Sequence, residues 1–485
     1  MTKSPGAILD GGSRPEGGGA GMGPPKRTLG DFALACGGRL AGADRPYSGV
    51  STDTRTLRSG ELFVALRGPR FNGQEFLGRA EAAGAAGAVV DAQQPSKLAQ
   101  VVVEDAQAAL ARAATRWRAQ FNIPLIGVAG SNGKTTVKEM TAAILAQAGE
   151  CLSTRGNLNN HIGVPLTLFG IEPGHRFAVV EMGANRAGEV AALVSLACPT
   201  IGLITNAGAE HLEGFGSLEG AARAEGEMVE GLDPNGVAII NADDPFAPLW
   251  RGLTRAPVVT FGLGERADFR ARDVRTEIAA GEFRTRFTLH CPQGPAQIEL
   301  RLAGRHNVAN ALAAAAAASA AGASLVQVKA GLAAMRPVQG RLQLKRARSG
   351  VWLIDDSYNA NPSSVRAALD VLADLDGRKW LVLGDMAELG AFARASHVEM
   401  GSLARERGIE RLFATGELAQ LAVESFGAGA EWYPEAEALG RALGRALDAA
   451  GGGAAPAAAP PQTCVLVKGS RFNRLERVVA AVTGG

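Results

Sequence analysis

The chain has 485 residues, with 50 Lys and Arg against 48 Asp and Glu and a formal net charge of +2. Such a length exceeds what one hydrophobic core usually serves and implies about three domains. The even charge balance excludes the basic footprint of a protein that binds nucleic acid or an anionic membrane surface.

Five cysteines, Cys36, Cys151, Cys198, Cys291 and Cys464, lie far apart without a CxxC pair. They point to neither a disulfide framework nor a zinc site, and reduced core thiols are expected. Residues 1–25, MTKSPGAILDGGSRPEGGGAGMGPP, lack the basic start and apolar core of a secretory signal and read as a disordered Gly/Pro tail. A first unit over 26–118 holds the β-rich runs ELFVALRG and GAVVD with the helical EFLGRAEAAGA between them, the pattern of a small α/β domain. The amphipathic ALARAATRWRAQF (109–121) reads as a connecting helix.

A second unit, 119–337, opens with the buried strand IPLIGVAG (123–130) and the helical TTVKEMTAAILAQAG. Further strands at FAVVEMG (177–183), IGLITNAG (201–208) and GVAIINADD (236–244) alternate with helical stretches. This predicts a mostly parallel sheet covered by helices on both faces. ANALAAAAAASAAGAS, from Ala309, is too weakly hydrophobic to span a bilayer and reads as a buried helix. The third unit, 338–485, repeats the alternation in VWLIDDSYNANP, KWLVLGDMAELG, RLFATG and TCVLVKGS. It predicts a smaller, Rossmann-like doubly wound sheet, with the Ala/Pro/Gly-rich 450–463 as a flexible surface loop. The expected class is α/β in three domains, without membrane insertion.

The stretch richest in chemistry is GSNGKTTVKEM (130–140). A strand, a glycine turn and a helix N-terminus present unpaired backbone N–H groups to an anion. Gly130, Ser131, Asn132 and Gly133 make the turn. Lys134 offers a cation to the β/γ-phosphates, and Thr135, followed by Thr136, offers a hydroxyl to magnesium. The common spacing needs a glycine at position 128, where this chain has Val, so a tighter loop is expected. Glu181 follows one buried strand at the sheet edge where such folds meet ligands, and His211 in AGAEHLEGFGS follows another. With Thr135 they compose a hydroxyl, carboxylate and imidazole shell for magnesium.

Beyond the loop, STDTRTLRSGELFVAL, TRGNLNNHIGVPLTLF, EMGANRAGEV, HLEGFGSLEG, GRHNVANALAAAA, DDSYNANPSS, LGDMAELG and VLVKGSR occur in order. In these blocks the chain resembles the Mur ligases, ATP-dependent amide-bond ligases of peptidoglycan precursor synthesis, along nearly its whole length. The family's glycine loop has the same short spacing. LGDMAELG, and the absence of a DNPR motif, favour the dipeptide-adding branch over those that add D-Glu, a diamino acid or folate glutamates. A plain P-loop ATPase leaves the Asn-rich loops and the third unit without a role.

The resemblance implies ATP and Mg2+ as cofactors, with Lys134, Glu181, His211 and Arg341 as catalytic residues. It implies Asn310 for adenine, Asp356 for ribose, and Tyr358 and Asn359 beside them. Ser51, Asp53 and Arg55, with FNGQEF (71–76), would hold the UDP carrier, and Asn157, Asn159 and Asn160 would lie near the muramoyl group. The resemblance leaves the dipeptide pocket unmapped, with Lys468 and Ser470 as candidates. The implied reaction phosphorylates the terminal carboxylate of a UDP-N-acetylmuramoyl-tripeptide and transfers the acyl group to D-alanyl-D-alanine. A monomeric, cytoplasmic enzyme is expected. One departure stands out: where the family carries a carbamylated lysine as a magnesium ligand, this chain has Glu225. Its head falls roughly 4 Å short of a carbamate, so metal contact through a bridging water or a small helix shift is expected, with a solvated surface charge as the alternative.

Overall fold

The computed structural model describes residues 27–69, 71–208, 212–450 and 463–483. The expected tail (1–25), the loop between 450 and 463, and His211 lie outside them. The described residues build three α/β layers around three main sheets. The first sheet contains β1 (Arg39–Ala41), β2 (Val50–Ser51), β3 (Leu62–Val64), β6 (Gly87–Val90) and β7 (Gln100–Val102), in the order β1-β7-β6-β3-β2. A short hairpin of β4 (Arg67–Gly68) and β5 (Phe71–Asn72) stands apart from it. The expected connecting helix runs over Ala106–Arg118, started by the Asp105 carboxylate, which accepts from the backbone of Gln107 and Ala108.

The central sheet joins β8 (Leu125–Ala129), β9 (Cys151–Ser153), β10 (Phe177–Glu181), β11 (Ile201–Ile204), β12 (Val237–Asn241), β13 (Val258–Gly262), β14 (Phe269–Ala279), β15 (Glu282–Cys291) and β16 (Gly294–Leu300). Their order is β16-β15-β14-β13-β12-β11-β8-β10-β9. From β9 to β14 neighbours pair parallel, and every residue of β8, β10 and β11 is buried, as a sheet covered on both faces requires. The edge formed by β14, β15 and β16 is antiparallel and was not foreseen from the sequence. Ala280 and Gly281 join β14 to β15 with φ of 52° and 80°, the backbone sign of a primed hairpin turn. β8 lies between β10 and β11, so its carboxyl end opens at the switch point where such sheets bind ligands.

The third sheet runs β17-β18-β22-β19-β20-β21. Its strands are β17 (Gln343–Arg346), β18 (Trp352–Asp356), β19 (Arg378–Gly384), β20 (Arg411–Thr415), β21 (Ala430–Tyr433) and β22 (Thr463–Lys468). All pairs are parallel except β17 with β18. No helix among the described residues is long and apolar enough to cross a membrane.

The alanine run forms the helix Arg305–Ala320, in which residues 311–318 are at most 1 % exposed. It is packed against the helix Lys134–Leu145 and strands β12 to β14. Alanine on every face lets these backbones approach closely, which a larger side chain would prevent. Ala314→Leu is therefore expected to destabilise the protein by about 1–3 kcal/mol through overpacking. Ala320→Leu, at the exposed end of the same helix, should stay within about 0.5 kcal/mol. Denaturant midpoints that move equally for the two variants would contradict this packing.

Candidate active site

The glycine loop leaves β8 and enters the helix Lys134–Leu145, with Gly133 as its N-cap at φ 86°. A Cβ at Gly130 would lie 2.1 Å from Thr205 Oγ1, and one at Gly133 would lie 2.5 Å from Asn310 Oδ1. Both positions also have positive φ, so the loop demands glycine twice over. The loop is held from below as well. Ser131 exchanges hydrogen bonds with Gly208, and Asn132 N donates to Asn206 Oδ1 at 3.0 Å.

Lys134 is folded back on the loop, its Nζ donating to Gly130 O at 2.6 Å and Ser131 O at 2.9 Å. These are the groups a phosphate chain would compete with. Thr135 Oγ1 accepts from Arg341 Nη2 at 3.2 Å, which brings a side chain preceding the third sheet directly onto the loop. A second link crosses beside it. Asn132 Nδ2 donates to Ser363 Oγ at 2.9 Å, while Asn361 Nδ2 donates to Asn132 Oδ1 at 2.8 Å. Asn361 is the N-cap of the helix Pro362–Ala373, so this link fixes a helix start against the loop.

The loop, the carboxyl ends of β10 to β12 and the elements around Arg341 enclose a cavity of about 700 Å³. It brings together Ser131, Asn132, Gly133, Lys134, Thr135, Thr136, Asn157, Asn159, Asn160, Glu181, Asn310, Arg341, Asp356, Tyr358 and Asn359. Glu181 is 2 % exposed. Its Oε1 accepts from Asn159 Nδ2 at 2.8 Å, and its Oε2 is buried without a partner. A buried carboxylate oxygen left open in a polar cavity is a fitting cation ligand. Asn160 Oδ1 accepts from the backbone N–H groups of Ile162 and Gly163, just before and at the start of the helix Gly163–Phe169. Asn310 donates to Asn307 Oδ1, which orients its amide beside Gly133. Asp356 is engaged on both oxygens, accepting from Leu342 N at 3.1 Å and Lys468 Nζ at 2.6 Å.

Ser51, Asp53 and Arg55 do not line this cavity. They form one turn of the first sheet's edge, where Arg55 grips Asp53 at 2.6 Å. The hydrogen bonds from Arg55 hold the Asp53 carboxyl below its usual range. Lys468 and Ser470 are each 2 % exposed. Lys468 lines the cavity, its Nζ donating to Asp356 and to Asn359 O. Ser470 lies outside the lining, bonded to Ala360 O and Ala387 N. β22, which carries Lys468, is an inner strand.

Glu225 is not a surface charge. It is 4 % exposed, and its Oε2 accepts from Gly130 N at 2.6 Å beneath the loop, outside the cavity lining. His306 was missed in the sequence, although it sits in the GRHNVAN block. It lines the cavity at the start of the alanine helix. Enclosure by protein pushes its imidazole down to about 4, against an upward pull from Asp356, so it is neutral near pH 7.

Family models match most of the chain. The Mur ligase family catalytic domain matches residues 46–119, the Mur ligase middle domain 128–318, and the Mur ligase glutamate ligase domain 340–471. The UDP-N-acetylmuramoyl-tripeptide–D-alanyl-D-alanine ligase of Escherichia coli (strain K12) is 43% identical over 457 residues, covering 94% of this chain and 98% of the relative. The Bacillus subtilis (strain 168) enzyme of the same name is 37% identical, over 82% of this chain and 87% of its own. Among solved structures, MurF from Acinetobacter baumannii superposes with a TM-score of 0.86 at 33% identity, covering 95% of this chain and all of that one. MurF ligase from Thermotoga maritima in complex with ADP gives 0.76 at 25% identity, over 89% and 96%. The chain belongs to the Mur ligase family.

Proposed function

We propose that the protein joins D-alanyl-D-alanine to the terminal carboxylate of UDP-N-acetylmuramoyl-tripeptide, converting ATP to ADP and phosphate, as a monomeric cytoplasmic enzyme with domains over 26–118, 119–337 and 338–485. The observation that carries this reading is one cavity shared by the glycine loop, Glu181 with its open oxygen, and Arg341. The names of the relatives support the substrates, and the ADP complex of the Thermotoga maritima structure supports the nucleotide.

In this reading the loop N–H groups and Lys134 exchange their internal contacts for the β/γ-phosphates, and Asn310 takes adenine. Asp356, which keeps lone pairs beyond its present partners, takes the ribose. The tripeptide carboxylate attacks the γ-phosphorus, giving an acyl phosphate and ADP. The dipeptide amine then attacks the acyl carbon and phosphate leaves. No side-chain nucleophile is required; Lys134 and Arg341 neutralise the charge that moves. Magnesium, when bound, spreads charge over the phosphate chain. Thr135, Glu181 and His211 are its proposed holders, with Asn159 orienting Glu181. Ser51, Asp53 and Arg55 receive the UDP end, and Asn157 and Asn160 the muramoyl region.

Glu225 is better suited to anchoring the loop than to touching metal. It satisfies the buried N–H of Gly130, the first group of the phosphate cradle. Gly130 and Glu225 are joined only if the side chain remains an acceptor, which glutamine preserves.

Phosphate release is expected only when ATP, UDP-tripeptide and dipeptide are all present; comparable release from enzyme and ATP alone would overturn the reading. Lys134→Ala should lower that release by at least tenfold, a loss of about 1.4 kcal/mol or more. Glu225→Gln should keep the magnesium requirement, whereas Glu225→Ala, leaving a buried amide unpaired at about 1–3 kcal/mol, should raise the KM for ATP roughly tenfold. A raised magnesium requirement in the glutamine variant would restore direct metal contact. For His306, the unfolded chain takes up a proton near pH 6.5 and the folded chain only near 4. Stability should therefore decline as pH falls through that window, by up to about 1.4 kcal/mol per pH unit. His306→Asn should flatten the decline in denaturation midpoints between pH 6.5 and 4; an unchanged slope would refute the shift.

A further inference from the structure

The incoming dipeptide carries a free carboxylate that needs a cation; of the two candidates for it, Lys468 lines the cavity with its charge already engaged by Asp356, and Ser470 is buried, carries no charge and lies outside the lining. The next residue, Arg471, is exposed. Its guanidinium lies 5.1 Å from the centroid of the Tyr358 ring, which itself lines the cavity. Arg341 stacks on the same ring at 4.6 Å while reaching Thr135 on the phosphate side.

We propose that Arg471 is the binding residue for the free carboxylate of the D-alanyl-D-alanine acceptor, with the adjoining Phe472 as an apolar surface for its methyl groups. This rests on the ligase reading given above. The geometry suits it in reach. The two guanidinium carbons, at 4.6 and 5.1 Å from one ring centre, are no more than about 10 Å apart, and a dipeptide spans about 7 Å from amine to carboxylate. An acceptor whose carboxylate rests on Arg471 can therefore extend its amine toward the phosphate side held by Arg341.

The presentation is rigid. Arg471–Asn473 is a short 3-10 turn. Its underside is pinned by Asn473, which donates to Asp385 O and Ser470 O at 2.8 Å each and accepts from Asp385 N at 3.1 Å. Its outer side leaves Phe472 61 % exposed. The place of the Arg471 guanidinium over the Tyr358 ring is a cation–π contact that uses none of its N–H donors, which suits them to a bidentate grip on a carboxylate.

The test pairs a residue change with a substrate change. Steady-state kinetics are measured for the unmodified enzyme, Arg471→Ala and Arg471→Lys, with D-alanyl-D-alanine and with its C-terminal amide, which lacks the charge. The unmodified enzyme is expected to favour the acid over the amide by roughly 10- to 100-fold in kcat/KM. Arg471→Ala should raise the KM for the acid by a similar factor and lose the preference, while the KM values for ATP and UDP-tripeptide stay within about twofold. Arg471→Lys should recover part of the preference. Retained acid-over-amide preference in Arg471→Ala, no preference in the unmodified enzyme, or an equal rise in all three KM values would overturn the assignment. Failure of the unmodified enzyme to use the dipeptide, with turnover of a single amino acid instead, would remove the ligase reading on which it rests.

Discussion

At Gly130 and Gly133 the backbone of the glycine loop runs so close to Thr205 and Asn310 that no Cβ fits at either position. This closeness governs the site. A loop so short, with Val at position 128, offers its N–H groups only if every flank is supported. The flanks come from β11's exit through Asn206 and Gly208, from the alanine helix through Asn310, and from the helix Leu218–Glu230 through Glu225. A buried carboxylate is tolerable beneath the loop because a backbone donor satisfies it at 2.6 Å.

The same closeness brings in the third sheet. Arg341 and Asp356 lie far along the chain from Lys134, yet Arg341 reaches Thr135, and Asp356 braces Leu342 next to it. Leu342 adopts a φ of 48°, a conformation that branched or bulky side chains rarely take. Asp356 accepting from its N–H holds that bend, and the bend follows the residue that touches the loop. Arginine placement thus passes through a carboxylate that itself lines the cavity.

Much of this was legible in the sequence where burial is complete. β8, β10 and β11 read as strands because both their faces are covered, leaving unbroken apolar runs. β14 to β16 were not read, since outward-facing arginines and glutamates interrupt the apolar positions; their alternation, as in β15, was the available signal. The glycine loop was legible because each residue type there has a chemical reason. Glu225 was located but not its direction, which depends on a neighbour 95 positions away. Lys468 follows the apolar TCVLV of an inner strand, and the sequence does not show that its charge is met by Asp356, 112 positions away. His306 was overshadowed by the two asparagines that follow it, and the groups that act on it, Asp356 and Lys468, come from the third sheet far along the chain.

The bridge between Asn132, Asn361 and Ser363 is built wholly from uncharged amide and hydroxyl groups. Ionic screening acts on charges and leaves neutral hydrogen bonds nearly untouched. A highly charged ligand entering or leaving the cavity would therefore not loosen this seam directly through its charge. Such a seam separates the mechanical joint from the electrostatics beside it: ionic strength acts on the charged side chains of the cavity, Lys134 and Arg341 among them, while the contact between the loop and the helix Pro362–Ala373 keeps a fastening that is indifferent to salt.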